Sequence, residues 1–472
     1  MTKFYVTTPI YYVNDKPHIG HAYTTVVADI FARFYRQKLG NDNVLFLTGT
    51  DEHGAKVVQA AEASGQPPQV FVDSIAQLYQ ATWSKLNISY DYFFRTTDPK
   101  HTALVQQLLQ QLYDQGLIYK ATYNGVYCIG CEKYLNSNEI VDGKCPLHPN
   151  IELTKQEEEN YFFKLKDLAP KVQSALEAGE YRIVPPERHE EIISRIKGGV
   201  EDISISRPGV AWGIPLPWDT SHTVYVWVDA LFNYYVATQI LDGKSDFWPA
   251  DLHLMAKDIL WFHGLIWEAL LLALNKPLPK TILAHGFFTI DCQKMSKSLG
   301  NVLDPIELAD RYGTDGLRYL LVSAFAFGND GDISLNKFTE KYNADLANGI
   351  GNLISRVATL CHKTQHDFSQ TVPVFDSALA DQIDAAMSAY RPDEALRLIW
   401  QPIQTLDKAI DTDQPWTLAD TELIDKLEGY VARLLGLETQ LQPFLPDTAA
   451  YLRQVFGQGK VTKPTPLFTR QA

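Results

Sequence analysis

The strongest constraint on this chain is a change of period at its N-terminus. Phe4 to Thr8 is rich in β-formers, a turn punctuated by Pro9, Pro17 and Gly20 follows, and Ala22 to Leu39 carries apolar residues at helical spacing. That reads as strand, loop and helix. A second unit follows at once: Val44 to Leu47 leads into Thr48-Gly49-Thr50-Asp51-Glu52-His53-Gly54, with helical stretches through Leu86. Two such units in succession predict the first half of an α/β fold built on a Rossmann-type parallel sheet. Further switches are expected at Thr223 to Val228, at Leu252 to Ala256 before Asp258 to Leu274, and at Thr281 to His285. The second half of the sheet therefore resumes after a gap of more than a hundred residues. The expected organisation is a Rossmann-type domain in two halves (1–95 and 211–290), a connective insertion (96–210), a loop region (291–340), and a helical domain (341–472). In the last, Leu346 to Leu360, Asp376 to Ala389, Arg391 to Ala409 and Thr421 to Leu437 all carry three- and four-residue apolar spacing, which predicts an all-α bundle.

Size agrees, since 472 residues suggest about three domains. The longest near-apolar run, Leu265 to Leu274, is interrupted by Glu268 and is too short to cross a bilayer, so no membrane role is expected. The N-terminus lacks the basic flank and apolar core of a signal peptide, and a cytoplasmic location is expected. A formal charge of −14 means that any nucleic-acid contact must come from local basic patches on an acidic body.

Of the five cysteines, three cluster as Cys128-x₂-Cys131-x₁₃-Cys145, followed by x₂-His148. Two short chelating pairs suit a tetrahedral Zn²⁺ with Zn–S distances of about 2.3 Å. Four protein ligands leave no open position, so the expected role of this zinc is structural.

Two short strings carry chemistry. His18-Ile19-Gly20-His21 falls in the first strand-to-helix turn, where free amides and the helix dipole favour phosphate and the glycine lets a ligand approach the backbone. Lys294-Met295-Ser296-Lys297-Ser298 follows the strand Thr281 to His285 and supplies two ammonium groups.

Together these strings resemble the signature pair of the class I aminoacyl-tRNA synthetases. The resemblance implies that His18, Gly20 and His21 hold the phosphates and adenosine of ATP, with Asp258 near the ribose. Lys294 and Lys297 then close over the β- and γ-phosphates, and Mg²⁺ accompanies the nucleotide. Developing charge on a leaving pyrophosphate calls for such preplaced donors. The insertion, about 115 residues, is too small for the hydrolytic editing domain of the isoleucyl, valyl and leucyl enzymes.

Three further segments look like the methionyl branch. By that resemblance Ile10, Tyr12, Trp227, Ala230, Leu231, Tyr234, Ile259, Phe262 and His263 form a methionine pocket, and Asp51 binds the ammonium group. An aromatic-lined slot with few polar anchors suits an uncharged thioether, and Tyr234 is expected to offer its hydroxyl to the sulfur. Ile205-Ser206-Arg207 matches an arginine near the catalytic centre. The chain departs from the family in having Met255-Ala256, where glycine usually precedes the Lys-Asp pair, and Glu268, where proline is common.

In the bundle, Asn352 and Arg356 stand four apart on one helix face, and Trp416 follows Pro415. Matching positions in the family read the CAU anticodon, with the tryptophan stacked on cytosine. Initiator and elongator tRNA(Met), ATP and L-methionine are the implied partners, and a monomer is expected. A catalytically silent tRNA-binding paralogue would show a damaged signature string, and both strings are intact.

Overall fold

The protein is described here by a computed structural model covering all residues except Met1, 131–132, 136–139, 147–148, 291–292, 296–300 and Lys463. At 123–125, 127, 133–134, 155–158 and 294 the backbone alone is described.

Six parallel strands form the central sheet. Their spatial order is Tyr92–Arg95, Val44–Asp51, Phe4–Tyr12, Leu252–Ala256, Thr281–His285 and Arg182–Val184. The strands Val44–Asp51 and Thr281–His285 are buried along their whole length, as expected where helices cover both faces of a parallel sheet. Strand order reverses between Phe4–Tyr12 and Leu252–Ala256, whose register pairs Val6 with Leu252. A crevice beyond the carboxyl ends of two such neighbours is where an open α/β sheet binds its ligand.

Two sequence expectations change. Thr223 to Val228 does not supply a strand to this sheet: His222–Val224 pairs antiparallel with Ser206–Pro208 in a separate ribbon, and the helix Val226–Leu231 follows. The sixth strand, Arg182–Val184, comes from within 96–210. Three residues ahead of Pro185-Pro186 are too few to show a period. The same segment also builds a four-stranded antiparallel sheet in the order Lys133–Leu135, Ile118–Cys128, Thr154–Phe163 and Ile203–Ser204.

The first helix, α1 (Ile19–Leu39), is longer than expected at its N-terminus and is buried on most of its surface. Beyond residue 341 the described chain is helical apart from turns and coil. A π-helical stretch Tyr342–Ile350 runs into Gly351–Thr364, and Ser377–Ser388, Pro392–Asp413, Asp420–Leu441 and Pro446–Phe456 follow. One apolar cluster runs from Val26, Ile30 and Phe31 of α1 through Leu317 and Leu321 to Leu353, Ile399 and Leu445 in the bundle. A second cluster, on the other side of the sheet, holds Leu47, Ala230, Tyr234 and Trp267.

Candidate active site

A cavity of about 650 Å³ opens at the strand-order reversal. Its lining includes His18, Gly20, His21, Asp51 and Asp258, together with Ile10, Tyr12, Trp227, Ala230, Leu231, Tyr234, Ile259, Phe262 and His263. Residues from four separated segments, each singled out in the sequence, thus meet around one space. Met295, inside the signature string, and Val302, just beyond it, also line it. The side chain of Lys294, and Lys297 altogether, lie outside the described residues.

At the mouth, His18 caps α1. Its Nδ1 accepts the Gly20 N–H at 3.1 Å, and Nδ1 of His21 accepts the His18 N–H at 3.3 Å, with the two rings stacked 3.7 Å apart. Both rings therefore carry their hydrogen on Nε2. Burial, then the neighbouring His18, holds His21 well below the usual histidine range, so its ring is the neutral form. A methyl group on Gly20 would stand 2.9 Å from the His18 ring and would push that ring from its place.

The deep end is aromatic. Trp227 stacks on Phe262 at 4.0 Å with the planes 7° apart. Phe262 and His263 begin a π-helical turn, Phe262–Trp267, a distortion often found where side chains are re-aimed into a site. Nδ1 of His263 donates to the Ile259 carbonyl at 3.0 Å, leaving Nε2 to accept from the Tyr234 hydroxyl at 2.8 Å. Burial lowers His263 to about 4, so this tautomer is the neutral ring. Tyr234 thus spends its proton on His263 rather than holding it for a sulfur atom.

Several lining or supporting residues were missed in the sequence. Asp229 is fully buried and accepts from His53 at 2.7 Å and His101 at 2.6 Å, tying the end of Val44–Asp51 to the helix carrying Trp227, Ala230 and Leu231. Burial opposes its ionisation, but the two histidines hold its carboxyl down at about 2. An aspartate inside the apolar run Val226 to Leu231 was the available signal, because a buried carboxylate needs partners. His285 bonds Thr24 of α1 at 2.7 Å and the Gly286 carbonyl at 2.8 Å, and burial lowers it to about 4. Arg195 lies 3.8 Å over the Trp261 ring at the rim.

Arg207 does not line the cavity: it lies 4.2 Å over the Tyr225 ring and bonds Ser204 and the Ser206 carbonyl. Cys128 and Cys145 are buried together with Leu135 in a small cluster of their own, while Cys131 and His148 lie outside the described residues. Gly130, two residues after Cys128, lines the cavity and its carbonyl accepts from Lys56.

Far along the chain, a shallow cavity of about 270 Å³ is lined by Ser355, Arg356, Thr359, Leu360 and Trp416. Trp416 is 55% exposed, and the Arg356 guanidinium lies 5.8 Å from its ring centre. Arg356 pairs with Asp407 at 3.2 Å and Asp411 at 2.6 Å. Asn352 is exposed one turn before Arg356.

No described helix is long and apolar enough to cross a membrane. The family model described as tRNA synthetases class I (M) matches residues 4–152 and 147–358. The methionine–tRNA ligase of Caldanaerobacter subterraneus subsp. tengcongensis is 40% identical over 96% of this chain and 74% of its own length. That of Nostoc sp. is 38% identical over 97% of this chain and 90% of its own. Mycobacterium tuberculosis methionyl-tRNA synthetase in complex with methionyl-adenylate superposes with a TM-score of 0.91 at 33% identity, covering all of both chains. With cavity, strand order and sequence in agreement, this chain belongs to the methionine–tRNA ligase family of class I aminoacyl-tRNA synthetases.

Proposed function

We propose that this chain activates L-methionine with ATP and then transfers it to the 3′ end of tRNA(Met), initiator and elongator alike. The observation that carries this reading is the shared cavity of about 650 Å³ that joins a histidine-capped helix end to an aromatic slot. In the first step a methionine carboxylate oxygen bonds to the α-phosphorus as the bond to pyrophosphate breaks. In the second, a terminal ribose hydroxyl of the tRNA takes the acyl group and AMP leaves.

Each residue has a place in that sequence. Trp227, Phe262, Tyr234 and His263 close around the thioether, with Ile10, Tyr12, Ala230, Leu231 and Ile259 filling the walls. Asp51, buried at the end of its strand, takes the ammonium group. The Nε2–H groups of His18 and His21 donate to phosphate oxygens without bringing a second positive charge beside the Mg²⁺ that accompanies ATP. Asp258 stands at the ribose, and Lys294 and Lys297 neutralise the departing pyrophosphate. Asn352, Arg356 and Trp416 read the anticodon.

Cys128, Cys131, Cys145 and His148 are proposed as ligands of one structural Zn²⁺. The burial of Cys128 and Cys145 in one small cluster supports this. The chain is read as a cytoplasmic monomer with a catalytic domain (1–95 and 211–290), a connective insertion (96–210), a loop and stem-contact region (291–340) and an anticodon domain (341–472).

Pyrophosphate exchange with each of the twenty amino acids tests the first step, with Lys297→Ala as control. Exchange is expected with methionine alone and should be lost in the variant. Folded, zinc-loaded protein that exchanges with no amino acid would overturn the enzymatic reading.

A further inference from the structure

We infer that Arg318 is a positioning residue that keeps the helical bundle in register with the phosphate-binding end of α1, so that tRNA held on the bundle meets the adenylate in alignment. The inference rests on the tRNA-charging reading above. Arg318 lies on the helix Thr314–Ser323 and is 1% exposed. Its fork is shared among three parts of the fold. Nε donates to the Phe444 carbonyl at 2.8 Å and Nη2 to the Pro443 carbonyl at 2.9 Å, at the corner between bundle helices Asp420–Leu441 and Pro446–Phe456. Nη1 donates to the Leu86 carbonyl at 3.2 Å, and Nη2 pairs with Asp29 of α1 at 2.8 Å.

Asp29 is itself fully buried and saturated, accepting from Ser89 N–H at 2.7 Å, Ser89 Oγ at 2.6 Å and Arg33 Nε at 2.7 Å. Only a planar guanidinium offers divergent donors to two carbonyls of one corner, a third carbonyl and a carboxylate at once. A buried ion pair of this kind adds little net stability over an apolar filling, yet it tolerates almost no sliding, because any shift strands a charge. It therefore sets geometry more than it sets stability. One turn earlier, Asp315 accepts the Thr448 N–H at 2.6 Å and fixes the same corner. At the surface of this seam Gln37 of α1 bonds the Thr439 carbonyl at 2.9 Å, and Asn87 bonds Asp447 at 2.8 Å. From Asp29 back to His18 the rise is roughly 16 Å along one helix, with no intervening joint.

The test compares Arg318→Met, Arg318→Lys and the surface pair Gln37→Ala/Asn87→Ala in the full chain, at a temperature where circular dichroism shows each folded. Methionine-dependent pyrophosphate exchange reads the first step, and charging of a transcript with a CAU anticodon reads the second. Exchange should stay within about threefold of the parent in all three. Charging kcat should fall about thirtyfold or more in Arg318→Met with KM for the transcript within threefold, should recover partly in Arg318→Lys, and should fall about fivefold in the surface pair. Exchange and charging that fall together would make Arg318 merely structural and overturn the inference, as would undiminished charging in the variants. If Arg318→Met does not fold, the surface pair decides by the same criteria. A parent protein that exchanges methionine but charges no transcript would overturn the charging reading itself, which separates the two failures.

Discussion

The Tyr234 hydroxyl donates to Nε2 of His263 across 2.8 Å at the deep end of the cavity, and His263 in turn is held by the Ile259 carbonyl. Tyr234→Phe leaves the His263 nitrogen buried without its donor, at a cost of about 1–3 kcal/mol. KM for methionine should rise about tenfold or more in exchange assays, with kcat falling less, because the slot binds substrate and transition state alike. An unchanged KM would show that the pair shapes nothing the substrate touches.

Acid should weaken the fold through the same kind of ring. His263 and His285 are buried and lowered to about 4, while an unfolded histidine titrates near 6.5. Below about 6.5 the unfolded chain takes up protons that the folded chain refuses, so stability falls as pH drops towards 4 and the loss then levels off. Each ring accounts for up to about 3 kcal/mol of that loss. Urea unfolding followed from pH 7 to pH 4.5 should show a shallower decline in His285→Gln than in the parent, whatever the variant's stability at pH 7.

Glu268 presents the opposite case. It is fully buried directly after the π-helical turn, and among the described residues neither carboxyl oxygen has a hydrogen-bond partner. Burial pushes its carboxyl well above the usual range, so the folded chain holds a proton that the unfolded chain gives up, and stability drops as pH rises. Glu268→Leu should raise thermal stability by about 1–3 kcal/mol, more at pH 8 than at pH 5. Equal gains at both pH values would mean that the carboxyl is not the cause.

Trp416 is 55% exposed beside Arg356, and a stacked base is worth roughly 1–3 kcal/mol. Trp416→Ala should lower kcat/KM for charging about ten- to a hundredfold while pyrophosphate exchange stays level. Equal loss in both assays would place the tryptophan in the fold rather than in recognition.

How far all this could be read in advance depended on where each signal resides. Local chemistry was legible: His18 and His21 fall at a helix start, and Tyr12, Asp51, Trp227, Asp258 and His263 do reach one cavity. Long periodic helices were legible too, with Asp376 to Ala389 appearing as Ser377–Ser388. Short elements held by distant partners were not. Arg182–Val184 has three residues and gains its identity only by pairing with Thr281–His285. The ribbon strand His222–Val224 carries the same β-rich composition as a sheet strand, and composition does not specify a neighbour. The aspartates at 29 and 229 were hidden because an isolated acid in an apolar run says that a partner exists without saying which residue it is.

Strand pairing also sets a timetable for synthesis. Phe4–Tyr12 lies at the middle of the sheet, yet its neighbour on one side, Leu252–Ala256, leaves the ribosome roughly 240 residues later, on the order of 12–50 s at ordinary elongation rates. Throughout that interval an apolar strand edge stands unpaired on the nascent chain, which makes the first fifty residues a natural client for ribosome-bound chaperones and the region where slow codons downstream would do most harm.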